Sequence, residues 1–283
     1  MSSYREATRT QYLGNSNNKA IFAGAIDPDF RMAHNNPQGG YLNAILMDAV
    51  LQRAPGHRAV AFNAFFFKLS VVGPCIVELE ELKTSKNGYC VSQVALKQLS
   101  TPTPLNTIDT YDPSAYITKL HTIITTTSRP DGFSFAPLEN MQPIALDFNK
   151  MQPSKFGLTG GPNTLKIYEN LDNQNKGEVW HAFEWPNGEP IDAKSIACFA
   201  DISTVPRPFV HKDMMYAMRA SLQFEVKYRV PPPKPTQRVL LKIVMENIVD
   251  GIMDADGWLF DQDGYLLGTA RHHIALTEKK PSL

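Results

Sequence analysis

The sequence is poor in the features that announce several protein classes. Its 283 residues include three cysteines, Cys75, Cys90 and Cys198, odd in number and far apart. That pattern fits neither a disulfide framework nor a zinc site, and it points to a reducing compartment. Charge of one sign is also missing: 28 basic residues face 28 acidic ones. A general nucleic-acid binder needs a basic surplus to pair with phosphates, so no nucleic-acid partner is expected. Long apolar runs are lacking. The most apolar stretch, Ala59 to Val72, is broken by Asn63 and Lys68. It is too short to cross a bilayer and reads as a buried strand, so no membrane partner is expected. The Met-Ser-Ser-Tyr-Arg-Glu start has no apolar core of a signal peptide. The final Pro-Ser-Leu lacks the basic middle residue of the Ser-Lys-Leu peroxisomal address. A cytoplasmic location is the expectation, with the peroxisome as the alternative.

Several catalytic signatures are absent as well. There is no Gly-x-Ser-x-Gly elbow, and Gly160-Gly161 runs into Pro162 rather than into a helix, which leaves no phosphate loop. Asp-Ala-Asp-Gly at 254–257 and Asp-Gln-Asp-Gly at 261–264 lack the spacing and closing Glu of a calcium loop and read as hairpin turns. His272 and His273 are neighbours in an expected strand and would point to opposite faces, so they cannot easily share one ion. No metal and no cofactor is expected.

What is present is an internal echo. Pro37-Gln-Gly-Gly-Tyr-Leu-Asn-Ala-Ile-Leu-Met-Asp48 is answered by Pro190-Ile-Asp-Ala-Lys-Ser-Ile-Ala-Cys-Phe-Ala-Asp201. Each copy has a proline, a turn or cap, an apolar stretch and an acid eleven residues after the proline. Such a repeat suggests two similar modules that meet at a site. The periodicity predicts a helix over Gly39 to Arg53, with Leu42, Ile45, Leu46, Ala49 and Val50 on one broad face. Strands are expected over Ala61–Leu69, Cys75–Leu82, Tyr89–Leu99 and Lys119–Thr127, with a hairpin at Asn87-Gly88. Prolines and glycines at 128–163 predict a surface linker. Then comes a second round: a strand over Glu178–Trp185, a helix capped by Asp192 and running to about Asp201, and strands over Ser221–Tyr228, Val239–Val249, Gly251–Phe260 and Tyr265–Leu276. Helix-then-meander, twice, predicts an α+β protein.

Asp201 is the sharper chemical candidate of the two acids. An acid held against apolar surface has a raised pKa, which suits general-base work near neutral pH. A solvent-facing acid or a cap is the bland alternative. For Asp48 the bland alternative, an exposed acid on an amphipathic helix, is favoured.

Four segments share a further pattern: Pro37-Gln-Gly-Gly-Tyr41; Phe65-Phe66-Phe67-Lys68 through Val94-Ala95-Leu96-Lys97-Gln98; Asp192 to Asp201; and Phe260 through Ile274. In order and spacing they resemble the double hotdog acyl-CoA thioesterases, namely the acyl-CoA thioesterase II type and its fungal thioesterase-like relatives. The resemblance implies a double hotdog: two tandem modules, 1–128 and 164–283, joined by a linker at 129–163, each with a long helix packed on an antiparallel sheet. It implies an acyl-thioester or related apolar small molecule as substrate, in lipid or secondary metabolism. Self-association beyond the fused modules stays open.

The family's catalytic Asp, Thr or Ser, and Gln fall on Asp201, Ser221 and Arg271. Arg271 is a departure, because a guanidinium only donates hydrogen bonds. A one-residue register shift would put His272 there instead. Substrate contacts are expected from His34, Gly39, Gly40, Tyr41 and His272, with the N–H groups near Gly40 and Tyr41 polarising the thioester carbonyl. The expected reaction is hydrolysis with Asp201 as general base and Ser221 fixing the water. Two readings compete with it: a dehydratase, isomerase or cyclase on the same scaffold, and a catalytically silent acyl-binding protein.

Overall fold

In a computed structural model, the described residues are 2–32, 36–129, 144, 147–155, 157–170, 172, 176–202, 218–229 and 235–277. The first elements are the short helix α1 (Tyr4–Ala7), strands β1 (Gln11–Ser16) and β2 (Lys19–Ile26), and helix α2 (Gly39–Arg53). Next come β3 (Arg58–Phe66), β4 (Gly73–Lys83), β5 (Tyr89–Gln98) and β6 (Ile117–Thr127). The second part holds β7 (Gln152–Pro153), β8 (Lys166–Asn170), β9 (Glu178–Glu184) and helix α3 (Ala193–Ala200). It ends with β10 (Met218–Tyr228), β11 (Val239–Val244), β12 (Ile248–Val249), β13 (Ile252–Asp261) and β14 (Leu266–Thr277).

All the strands join one large antiparallel sheet, ordered β1-β2-β4-β5-β6-β3-β10-β14-β13-β11-β9-β8-β7, with β12 beside β13. The order carries the sequence echo into space. Chain order β2, α2, β3, β4, β5, β6 gives the spatial run β2-β4-β5-β6-β3. Chain order β9, α3, β10, β11, β13, β14 gives β9-β11-β13-β14-β10 in the same way. The two runs meet where β3 pairs with β10, from Phe65 opposite Gln223 to Ala61 opposite Lys227. One apolar cluster serves both sides of that seam. Phe62 and Phe224 meet across it edge to face at 5.3 Å. Farther out, Tyr4 stacks on Trp185 at 4.3 Å, so the N-terminal turn is pinned to the second half.

Several expectations need correction. Helix α2 has no solvent face over most of its length: Gly40 through Met47, Ala49 and Val50 are buried. The sheet lies against it through β2, β4, β5 and β6, and α3 crosses it, so a helix apolar on all sides is what the site demands. Helix α3 spans eight residues against fifteen for α2. It starts in a capping box formed by Asp192 and Ser195 and ends at the C-cap Asp201.

A hairpin, β1–β2, precedes α2. Its turn is Asn17-Asn18, both with positive φ (49° and 62°), the conformation that asparagine tolerates and that matches strand twist. The β4–β5 connection covers 84–88 rather than the two residues Asn87-Gly88. Asp254–Gly257 lies inside β13, and the turn falls instead at Asp250-Gly251, where φ is 52° and 71°. Asp263-Gly264 is a turn, organised by the buried Asp261 carboxylate, which accepts from the Asp263 and Tyr265 N–H groups. The described part of the expected linker contributes the edge strand β7 on β8; its residues 130–143, 145, 146 and 156 lie outside the described residues, as does the proline run at 231–233.

Candidate active site

The site grows from the crossing of α2 and α3. Gln38 caps α2, its Oε1 accepting from the Tyr41 N–H at 2.5 Å. The two glycines that follow are required by crowding. A Cβ on Gly40 would overlap the carbonyl oxygen of Ala197 in α3, and one on Gly39 would sit 2.9 Å from the Phe66 ring and 3.2 Å from Asp201 Oδ2. Close approach of the helices lets Asp201, at the end of α3, reach the start of α2. Its Oδ2 accepts from the Gly40 N–H at 2.8 Å.

Two strands supply the rest. Ser221 precedes a bulge in β10, and His272 lies on β14 opposite Phe224. The His272 ring packs against Phe224 at 4.8 Å. Its Nε2 is 2.8 Å from Ser221 Oγ and 3.4 Å from Asp201 Oδ1. Serine and acid therefore address the same imidazole nitrogen. In a Ser-His-Asp relay they would sit on opposite nitrogens, so this is a different device.

Burial sets the electrostatics. The Asp201 side chain is 7% exposed and that of His272 8%. Burial pushes the Asp201 carboxyl up to about 7, although N–H groups of Gly40 and Gly39 pull the other way. Burial pulls His272 down to about 4, helped by neighbouring His273. Near neutral pH the imidazole is uncharged, and the carboxyl holds its proton far more readily than a carboxyl in water. The Asp201–His272 contact is then a polar contact with a neutral ring, not an ion pair.

The structure brings together Asp201, Ser221, His272, Gly39 and Gly40. It does not bring Arg271. That side chain lies on the other face of β14, 62% exposed, in a two-pronged ion pair with Asp256 at 2.8 and 3.2 Å. Strand alternation is the reason: His272 points in, so Arg271 and His273 point out, and His273 meets Asp254 instead. Tyr41 is corrected too. Its ring is buried, its hydroxyl donates to the Ala7 carbonyl and accepts from the Asp27 N–H, and its own N–H is spent on Gln38. With the Gly40 N–H on Asp201, neither amide named for the thioester carbonyl is open. His34 lies outside the described residues.

Asp48 is not an exposed acid. It accepts from the Thr10 N–H and hydroxyl, from Gln52 and from Lys194, the last at 2.9 Å. Gly40 holds Asp201 across the seam, and Lys194 of α3 holds Asp48 in return. A cleft of about 1080 Å³ opens beside this ion pair, with Arg5 and Arg9 on its wall. The echo therefore carries two acids into two different fates. Gln38, Phe66 and Lys194 were missed by sequence reasoning; the only signal for Gln38 is its place directly before the glycine pair.

Among the described residues, no cluster of three or more His, Cys, Asp or Glu is placed to hold a metal ion. Nor is any helix among them long and apolar enough to cross a membrane.

The sequence profile of the acyl-CoA thioesterase C-terminal domain matches residues 125–276, more than half of the chain. The chain belongs to this acyl-CoA thioesterase family. The match spans α3, β10 and β14, and so includes Asp201, Ser221 and His272. No curated protein sequence matches. Solved structures do. A candidate thioesterase II of Thermobifida fusca superposes with a TM-score of 0.76 at 16% identity, covering 98% of each chain. A protein of unknown function with a hot dog fold from Alicyclobacillus acidocaldarius gives 0.73 at 14% identity, covering 99% of this chain and 100% of its own. The dehydratase domain from the CurF module of curacin polyketide synthase gives 0.57 at 11%, covering 98% and 100%. At these identities the likeness is one of fold. The thioesterase-family chain thus has hotdog-fold neighbours and a large antiparallel sheet with few helices.

Proposed function

We propose that the chain is a double hotdog, with halves at 1–128 and 164–283, and that it hydrolyses an acyl-thioester such as an acyl-CoA at Asp201. The observation that carries this is the buried Asp201 carboxyl, fixed by Gly40 on one oxygen and facing with the other the His272 nitrogen that also meets Ser221. Water against Oδ1 gives its proton to Asp201 as its oxygen attacks the thioester carbonyl. The carbon–sulfur bond then breaks and the departing thiolate takes the proton back from Asp201. A group titrating near 7 suits both transfers. Charge growing on the carbonyl oxygen is met by the Ser221 hydroxyl, whose orientation is set by the neutral His272. The family assignment supports the reaction class. The test is release of free thiol from acyl-CoA substrates of graded chain length by wild type and Asp201→Asn. Undiminished release by the variant would remove Asp201 from the chemistry.

One observation favours a second reading. His272 and Asp201, 3.4 Å apart, form a neutral base and a titrating acid in one buried place. Such a pair can move a proton between carbon and oxygen without cleaving the thioester, as a dehydratase or isomerase would. Water elimination from a 3-hydroxyacyl thioester with no thiol release would support it.

A further inference from the structure

We propose that Gln38 is a positioning residue for Asp201, tying the end of α3 to the start of α2 so that the carboxylate reaches the Gly40 N–H. This rests on the reading of Asp201 as the proton acceptor.

The geometry is that of a two-strut joint. Gln38 is 1% exposed. Its backbone is held at both ends, the N–H donating to the Phe30 carbonyl and the carbonyl accepting from the Leu42 N–H. Its side chain then spans the crossing. Oε1 accepts from the Tyr41 N–H, and Nε2 donates to the Cys198 carbonyl at 2.9 Å. That same carbonyl accepts from the Asp201 N–H at 3.3 Å. One oxygen atom therefore links Gln38 to the backbone of Asp201. The second strut is Gly40 N–H to Asp201 Oδ2. The Cys198 thiol donates to Gln38 Oε1 at 3.5 Å, which orients the amide so that its nitrogen faces the carbonyl. A carboxamide suits this place because it accepts at one helix start and donates at the other helix end. A carboxylate would do only the first.

The consequence is chemical. Asp201 is in an apolar setting that disfavours its charge, and the N–H groups at the start of α2 are what oppose this. If the Gln38 strut is cut, α3 is free to draw away from α2. The Gly40 bond then weakens and the carboxyl becomes harder to ionise.

The experiment uses the full chain, with Gln38→Met and Gln38→Glu beside Asp201→Asn. Steady-state thiol release is measured from pH 5 to 9, together with thermal unfolding. Gln38→Met is expected to lower kcat about tenfold with KM within about twofold, and to move the acidic limb of the kcat profile upward by about half to one pH unit. Gln38→Glu is expected to move that limb further, since a second carboxylate beside the first disfavours its ionisation. If both variants lose rate equally at every pH with the limb unmoved, Gln38 is a packing residue and the inference fails. If Asp201→Asn keeps wild-type rate and profile, it is the base assignment that fails instead.

Discussion

Asp201 and Gly40 stand 161 positions apart in the chain, yet the carboxylate Oδ2 of one lies 2.8 Å from the backbone N–H of the other. This contact joins the two halves at the candidate site. It needs an acid where one helix ends, and a residue without a Cβ where the other begins.

Removing that acid's charge is the most direct test. Asp201→Asn should cut thiol release by about 10²- to 10⁴-fold, the range for losing a general base. The fold should persist, because the amide keeps an oxygen for Gly40. Circular dichroism and a thermal melt of the purified variant check the second half of the statement.

The pH dependence has a definite sign. Asp201 has its pKa raised from 3.8 to about 7 by burial. Its contribution to stability is present below 3.8 and is lost as pH rises to about 7. His272 has its pKa lowered from 6.5 to about 4. Its contribution is present above 6.5 and is lost as pH falls toward 4. Urea midpoints should therefore rise for Asp201→Asn relative to wild type at pH 8, and for His272→Gln relative to wild type at pH 4.5. Thiol release itself should climb through about pH 7 as Asp201 ionises.

Arg271 and His272 should separate cleanly. Arg271→Gln removes an exposed ion pair and should change activity less than about twofold and stability by at most about 1 kcal/mol. His272→Ala frees the Ser221 hydroxyl and should lower kcat by about 10- to 100-fold. Equal effects from the two substitutions would contradict the observed alternation of β14.

Gly40→Ala tests the helix crossing. The added methyl meets the Ala197 carbonyl oxygen, which is backbone and cannot turn aside. A loss of about 1–3 kcal/mol, typical of overpacking, is expected in chemical denaturation, together with lost activity. Wild-type stability would mean that the helices are farther apart than described.

Lys194→Met addresses the second acid. It leaves the Asp48 charge, 15% exposed, without its ammonium partner. The cost should be about 3 kcal/mol, the low end for breaking a buried pair, because Thr10 and Gln52 still donate to Asp48. A denaturation curve showing no loss would place Asp48 in contact with water.

Much of this was legible in the chain itself, for local reasons. The Gly39–Arg53 helix follows from apolar spacing, the α3 start from Asp192 as a cap, and most of the later strands from alternation. The repeat of proline, cap, apolar stretch and acid pointed to two related halves. The hairpin β1–β2 carries little local signal, because Lys19–Ile26 is rich in small residues and does not alternate.

Tertiary structure decided what no local pattern encodes. Which of Arg271 and His272 faces inward is a matter of one-residue register against β10, fixed by pairing with a strand some fifty residues away. That Asp48 meets a lysine while Asp201 meets a helix start depends on what the opposite half offers: Lys194 in one case, Gly40 in the other. Burial then does the rest, since the proton affinity of a carboxyl is set by the water it has lost and the donors it has gained. The sequence alone determined the kinds of elements and that two acids recur. Only the packing of α2 against α3 determined which acid is buried against the start of a helix.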